Sequence, residues 1–306
     1  MKWYPFYASL LLVISCTSIG NEKKEVVPPE TEGQKLSTVM PETPKTTNCA
    51  VKTSEASEMN LKGCVKTLSQ KDLYYYDPQG EAQQSTTVLH FNQKGFLVKR
   101  EYTGTTPEYN SIEITKMESP VRKGNMEWKQ ADVLKSRVEY AYDIENNLIT
   151  STTVDYQPDG KKEYSQQEYI YDSIKRLVGV RHYRNKGLNT DVEGQKPYLR
   201  TEVQYDSDTR RIHRTYRDEK LTEIRTMETN NEGKPFFARI EDKEKNTDVT
   251  AAYTYDTQGN ILEIKTPYSN ETNTYTYDSV GNYTRKERFD RGRRIQVSEI
   301  TYTYFD

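Results

Sequence analysis

What this chain lacks most is a long apolar run. Past a short stretch at residues 8–14, nothing approaches the ~18 residues that a membrane-spanning helix needs. Histidine is nearly absent: only His90, His182 and His213 occur, and none has ligand spacing to a cysteine or sits near a Gly-x-Ser-x-Gly motif. Zinc chemistry and a serine triad are therefore not expected, and all three read as solvated strand positions. No glycine-rich phosphate loop or dinucleotide fingerprint is present, so no cofactor is expected. Charge of one sign is missing too. Lys and Arg number 44 against 46 Asp and Glu, a net of −2, which argues against a uniformly basic nucleic-acid binder. Helical 3.6-residue periodicity is also absent from the body of the chain.

Cysteine is scarce but informative. Lys2 and the apolar run Ala8 to Ile14 read as an export signal, closed by Val13-Ile14-Ser15-Cys16. That ending resembles a bacterial lipobox, in which cleavage before the Cys leaves a lipidated thiol. The plain alternative is a secretory signal with a chance Cys. If Cys16 carries lipid, Cys49 and Cys64 remain as an even pair in a compartment that permits disulfides, and a bridge between them would be worth ~3 kcal/mol on the chain-entropy model. Two unpaired thiols are the alternative. Thr17, not Asp, follows Cys16; by the sorting rule of such lipoproteins, the resemblance implies the outer membrane, with the leaflet undetermined.

What is abundant is tyrosine, with 25 residues. A mean hydropathy of −0.97 and a charged fraction of 29% look like disorder at first. Tyrosine scores as polar yet buries a large ring, so a Tyr-rich alternating sheet can be hydrophilic on average and still fold. The tyrosines come in a pattern: Tyr275-Thr276-Tyr277-Asp278-Ser279-Val280-Gly281-Asn282, Tyr253-Thr254-Tyr255-Asp256-Thr257-Gln258-Gly259-Asn260 and, more loosely, Tyr140-Ala141-Tyr142-Asp143-Ile144-Glu145-Asn146-Asn147. Two Tyr at spacing two share one strand face, while Thr274 and Thr276 point to the other. Asp143, Asp256 and Asp278 are placed to cap a turn, and Gly259 and Gly281 to supply its φ > 0 residue. Aspartates read otherwise would be carboxylate catalysts or calcium ligands, with Asp206-Ser207-Asp208 the best cluster; their fixed place at the turns favours capping. No metal site is expected.

These residues resemble the YD repeat of the Rhs/YD-repeat family, roughly Tyr-x-Tyr-Asp-x-x-Gly-Asn-Leu, over about three quarters of the chain. In large toxins of that family such repeats spiral into a shell around a C-terminal effector. Here Tyr304-Phe305-Asp306 falls inside another repeat, so the resemblance implies the sheet and not toxin delivery.

The expected organisation is a lipoprotein signal at 1–15, a lipidated Cys and Pro/Thr/Glu/Lys-rich disordered tether at 16–48, a possible disulfide-stapled cap at 49–72, and a β domain at 73–306 with an irregular insertion, or longer strands with an irregular crossing, near 103–130. The expected fold is all-β: a meander of about a dozen antiparallel strands forming a twisted, curled or partly closed sheet. Basic runs at 285–288, 291–294 and 210–214 read either as solvated strand ends that protect an edge or as a contact for an anionic glycan or polymer, with Arg288, Arg291, Arg293 and Arg294 at its centre. The expected function is that of a non-catalytic binding or adhesion module held at the bacterial cell envelope by its lipid, for an anionic glycan or a protein partner. A structural envelope lipoprotein that assembles with other proteins is the other class. Oligomeric state is open.

Overall fold

The computed structural model describes residues 50, 54–76, 81–185 and 196–305. A one-turn helix, Glu55–Glu58 (α1), precedes eighteen strands. The first nine are Val65–Tyr74 (β1), Gln83–Phe91 (β2), Leu97–Thr103 (β3), Ser111–Ser119 (β4), Arg122–Gln130 (β5), Val133–Tyr142 (β6), Leu148–Tyr156 (β7), Lys162–Tyr171 (β8) and Leu177–Asn185 (β9). The rest are Leu199–Tyr205 (β10), Arg210–Arg217 (β11), Lys220–Thr229 (β12), Pro235–Asp242 (β13), Thr247–Tyr255 (β14), Ile261–Lys265 (β15), Asn270–Tyr277 (β16), Tyr283–Asp290 (β17) and Arg293–Tyr304 (β18).

Every strand pairs antiparallel with its chain neighbours, and β1 also pairs with β18, from Val65 opposite Tyr304 to Tyr74 opposite Gln296. The meander is thus a closed up-and-down barrel. This corrects the expected partly closed sheet: a sheet of eighteen twisted strands curls far enough for its ends to meet, and closure leaves no unpaired edge. At ~4.8 Å between strands and a tilt near 40°, such a barrel is roughly 35 Å across when circular.

Two further expectations change. Residues 103–130 are not an irregular insertion but the longer strands β4 and β5, paired along their length with register shifts between Lys116 and Met117 and between Met117 and Ser119, with Pro107 opening a single 3-10 turn and Pro120 in the next turn, where a missing N–H costs nothing. The cap ends earlier than residue 72, because the first strand already starts at Val65. The turn expected at 77–80 and residues 186–195, with part of the turn expected at 184–187, lie outside the described residues.

Alternation assigns the two faces of the wall. One carries Leu68, Asp72, Ser85, Leu89, Thr115, Ser151, Asn273, Ser298 and Ile300, all buried, together with the paired tyrosines; it is the concave, lumenal face. The other carries Lys71, Glu139, Arg181, Arg239, Arg285 and Glu299, all exposed.

The two rims differ. The chain enters the barrel and β18 ends at the same rim, and that rim also holds the turns at 92–96, 143–147, 172–176, 206–209, 230–234, 256–260 and 278–282. Here lies the main apolar cluster, in which Ala56, Leu61 and Val65 pack on Leu68, Leu89, Phe91, Leu97 and Ile300. We call it the cap rim. The far rim is built from shorter turns such as Ala131-Asp132, Asp218-Glu219 and Arg291-Gly292.

A tyrosine-locked rim and a charged lumen as candidate functional site

The Tyr-Asp turns at Asp143, Asp172, Asp256 and Asp278 begin with a carboxylate that satisfies backbone donors. Asp278 Oδ1 accepts from the N–H of Val280 at 3.0 Å and of Gly281 and Asn282 at 2.9 Å. Asp256 Oδ1 accepts from Gln258 and Asn260 at 2.9 and 2.8 Å, and Asp143 Oδ1 from Glu145 and Asn147 at the same distances. Gly259 and Gly281 stand at φ +87° and +95°, and Asn146 fills the same role at +71°.

The second Asp oxygen ties one turn to the next. Tyr304 Oη donates to Asp278 Oδ2 at 3.0 Å, and Tyr277 Oη donates to Asp256 Oδ2. The tyrosine two residues earlier reaches backbone instead: Tyr275 to Ile261 O at 2.7 Å and Tyr302 to Tyr283 O at 2.9 Å. Tyr171, Tyr205 and Tyr255, which stand directly before an Asp as Tyr277 does, donate to backbone as well, to the carbonyls of Leu148, Leu177 and Pro235 at 3.1, 3.1 and 2.5 Å. The repeat is therefore a rim lock, each hairpin bolted to the one before it. Burial drives the hydroxyls of Tyr171, Tyr275, Tyr302 and Tyr304 above their ordinary range, and pushes Tyr255 and Tyr277 up to about 12. For Asp256 burial works in the same direction, but the bonds from Tyr277 and the turn N–H groups win and hold it below the usual carboxylate range. Asp143 is lowered chiefly by its bond from the Asn147 side chain.

Residues 54–64 run along the inside of this rim. Ser54 caps α1 by accepting from Ser57 N–H, and Glu55 pairs with Lys123 and accepts from Leu97 N–H at 3.0 Å. At the other end, buried Asn282 accepts from Lys62 N–H at 2.7 Å and donates to Lys62 O at 2.8 Å, while Asn60 donates to Gln258 O at 2.8 Å. One short segment thereby closes part of the mouth.

Past the cap the inward face of the wall is polar. Arg100 pairs with Glu113 at 3.3 Å, Arg288 with Glu271 at 2.7 Å and Arg225 with Glu223 at 3.3 Å. Asp72 is 3% exposed and takes bonds from Gln70 at 3.0 and 2.9 Å, Gln296 at 2.9 Å and Ser298 at 2.5 Å. Lys286 lies over the Tyr275 ring at 5.9 Å, its ammonium lowered by burial and by Arg288. On β11 and β12, His213 stands opposite Arg225 and two residues from Arg211. Burial, then the two arginines, bring its imidazole down to about 4, so it stays neutral at physiological pH. His182 is lowered by burial as well. The expectation that all three histidines are solvated therefore fails for these two, because their strand parity points them inward. Among the described residues no group of three or more His, Cys, Asp or Glu could hold a metal ion.

The sequence cluster Arg288, Arg291, Arg293 and Arg294 is not brought together. Arg288 is lumenal and paired with Glu271; Arg291, at φ +48° in a far-rim turn, donates to Tyr268 O. Arg293 donates to Tyr76 O at 3.4 Å, and Arg294 faces outward over the Tyr75 ring at 4.9 Å. The alternation of β17 and β18 and the bulge between Arg288 and Phe289 send them in different directions. The 210–214 run splits likewise, with Arg211 and His213 inward and Arg214 outward, donating to Gln204 at 2.8 Å. Arg225 and Asp72 were not singled out from the sequence, and Lys286 only as a member of the 285–288 run; for Asp72 its even spacing from Tyr74 and Tyr76 was the signal, whereas the strands of Arg225 and Lys286 hold no Tyr-x-Tyr pair to set their parity. Cys16 and Cys49 lie outside the described residues, whereas Cys64 is disulfide-bonded.

The outer wall decides what the barrel can sit in. Strands of 9–10 residues suit a membrane barrel in length. Yet the outer face carries ion pairs at mid-strand: Arg239 with Asp248 at 2.6 Å, Arg137 with Glu139 at 3.3 Å, Arg285 with Glu287 at 2.7 Å and Lys99 with Glu101 at 3.0 Å. An outward Arg at the bilayer midplane costs ~2–4 kcal/mol, so Arg137, Arg181, Arg214 and Arg239 alone would cost on the order of 10 kcal/mol. Among the described residues no helix is long and apolar enough to cross a membrane either.

No family model and no curated protein matches the chain. Among solved structures, a porin-like protein from Bacteroides uniformis is similar at a TM-score of 0.44 and 10% identity, over 78% of this chain and 96% of that one. The crystal structures of TcdB2-TccC3-Cdc42 and TcdB2-TccC3 are similar at TM-scores of 0.26 and 0.27, with 11% and 12% identity. The match takes in 75% of this chain and 19% of the matched chain in each, so this chain spans about a fifth of their length. Scores this low carry no function across.

Proposed function

We infer that the protein is a lipid-tethered envelope lipoprotein whose barrel stands in water beside the membrane rather than in it, and that it is a non-catalytic binding module. The observation that carries this reading is the polarity of both wall faces: ion pairs outside, and tyrosines, arginines and buried acids inside. A wall wet on both sides is a vessel, and a lumen lined by aromatic and guanidinium groups is suited to contact over area. The class of ligand is an anionic glycan or related polymer, met by Arg211, Arg225, Lys286 and Arg288 from within the concave wall, where field lines are focused. The bacterial outer membrane is the location that the Thr17 rule implies.

The test is binding of purified full-length protein to a panel of acidic oligosaccharides at low and high salt. Arg225→Ser with Lys286→Ser should lose most of the affinity, and Arg239→Ser on the outer wall should keep it. Equal loss in both, or no binding at either salt, overturns the lumenal reading and favours a structural envelope lipoprotein.

A further inference from the structure

The chain enters the barrel at the cap rim, so the segment before residue 50 leaves from there. Three consecutive turns of that rim present aliphatic side chains to solvent: Val121 is 42% exposed, Ile144 98% and Ile174 64%. Nothing in the turn chemistry asks for them. The equivalent positions of the other turns hold Gln93, Lys94, Asn231, Glu232, Thr257, Gln258 and Ser279. The remaining aliphatic there, Val280, lies against Gly63 of the cap, whereas among the described residues nothing covers Val121, Ile144 and Ile174 in this way. The three turns are locked side by side. Asn92 donates to Pro120 O at 3.0 Å, Arg122 donates to Asp143 O at 3.0 Å, and Lys175 pairs with Glu145 at 2.6 Å. Isolated exposed aliphatics are ordinary; a rigid row of them beside the point where a membrane tether emerges is a surface.

We propose that this arc of the cap rim rests on the bilayer, with Val121, Ile144 and Ile174 entering the interfacial layer, so that the far mouth points away from the membrane. The inference rests on the tether reading, and the occupant is a lipid surface because the tether holds that rim within reach of one. Contact of this kind adds buried apolar area to the lipid anchor and fixes the orientation that a long tether leaves open.

The experiment uses the full-length lipidated protein on phosphatidylethanolamine and phosphatidylglycerol vesicles. An environment-sensitive dye is placed at Ile144→Cys, Ile174→Cys or, on the far rim, Asp218→Cys, and quenched by nitroxide lipids. Several-fold stronger quenching at 144 and 174 than at 218 is expected. Equal quenching at all three on protein that floats with the vesicles overturns rim docking while leaving the tether intact. Protein that does not float overturns both. A dye at Val121→Cys should lose quenching when Ile144→Ser and Ile174→Ser are added although flotation persists; unchanged quenching there overturns the aliphatic contact.

Discussion

Gly259 and Gly281 hold φ values that a β-branched residue adopts only under strain, and replacing either by Val should cost roughly 1–2 kcal/mol. At Gly259 an added Cβ also meets Lys234, whose ammonium is flexible, so the backbone dominates the penalty. Thermal melts of the two variants check this, and unchanged melting in both would contradict the turn assignment. The turn carboxylates give a pH dependence. Asp143, Asp172 and Asp256 are all held below the usual range, so the folded state binds their protons less readily than the unfolded chain. Their contribution is complete above the unfolded value of ~3.9 and is lost as pH falls through the lower folded values. A melting-temperature profile should therefore drop below about pH 4, and the Asp256→Asn variant should start lower and drop less. These roles were legible because Asx capping and positive φ are local: four residues settle them, whatever the rest of the chain does. The inward turn of His213 was not legible, since it depends on which face closes.

At the level of elements, the cap and β1 carry the apolar packing of the molecule. Leu68 is 1% exposed in that cluster, and Leu68→Ala should cost ~2–5 kcal/mol by denaturant unfolding. Asn282→Ala is the more specific change. It removes both bonds to Lys62 and leaves a half-buried N–H and C=O without their partner, at ~1–3 kcal/mol. Hydrogen exchange over 54–64 should quicken in that variant while the β6 to β9 amides stay protected; unaltered exchange would show that the cap is held by its apolar side alone. The strands themselves were visible wherever a Tyr-x-Tyr pair or an Asx turn marked them. β4 and β5 were not, because Ser111–Ser119 and Arg122–Gln130 lack that pair and Pro107 and Pro120 read as breakers, though both stand outside the ladder.

For the whole molecule, the charged outer wall predicts that the protein opens no channel. Added to planar bilayers or reconstituted into vesicles it should give no conductance and no dye release, and stable ion currents would contradict the water-facing wall. Detergent partition of wild type and Cys16→Ala tests the anchor: the wild type should enter the detergent phase and the variant should not. What the sequence determined alone is everything of short range: an all-β meander, turn chemistry at Asp143, Asp256 and Asp278, and tyrosines sharing one face, because strand parity and Asx turns are written within a few residues. What only the tertiary structure decided is closure and its consequences. Whether β18 meets β1 depends on twist summed over eighteen strands, a quantity no local window holds. Once they meet, one face becomes a lumen and the other a wall, and that division separates Arg288 from Arg294 and places Arg211, His213 and Arg225 together inside.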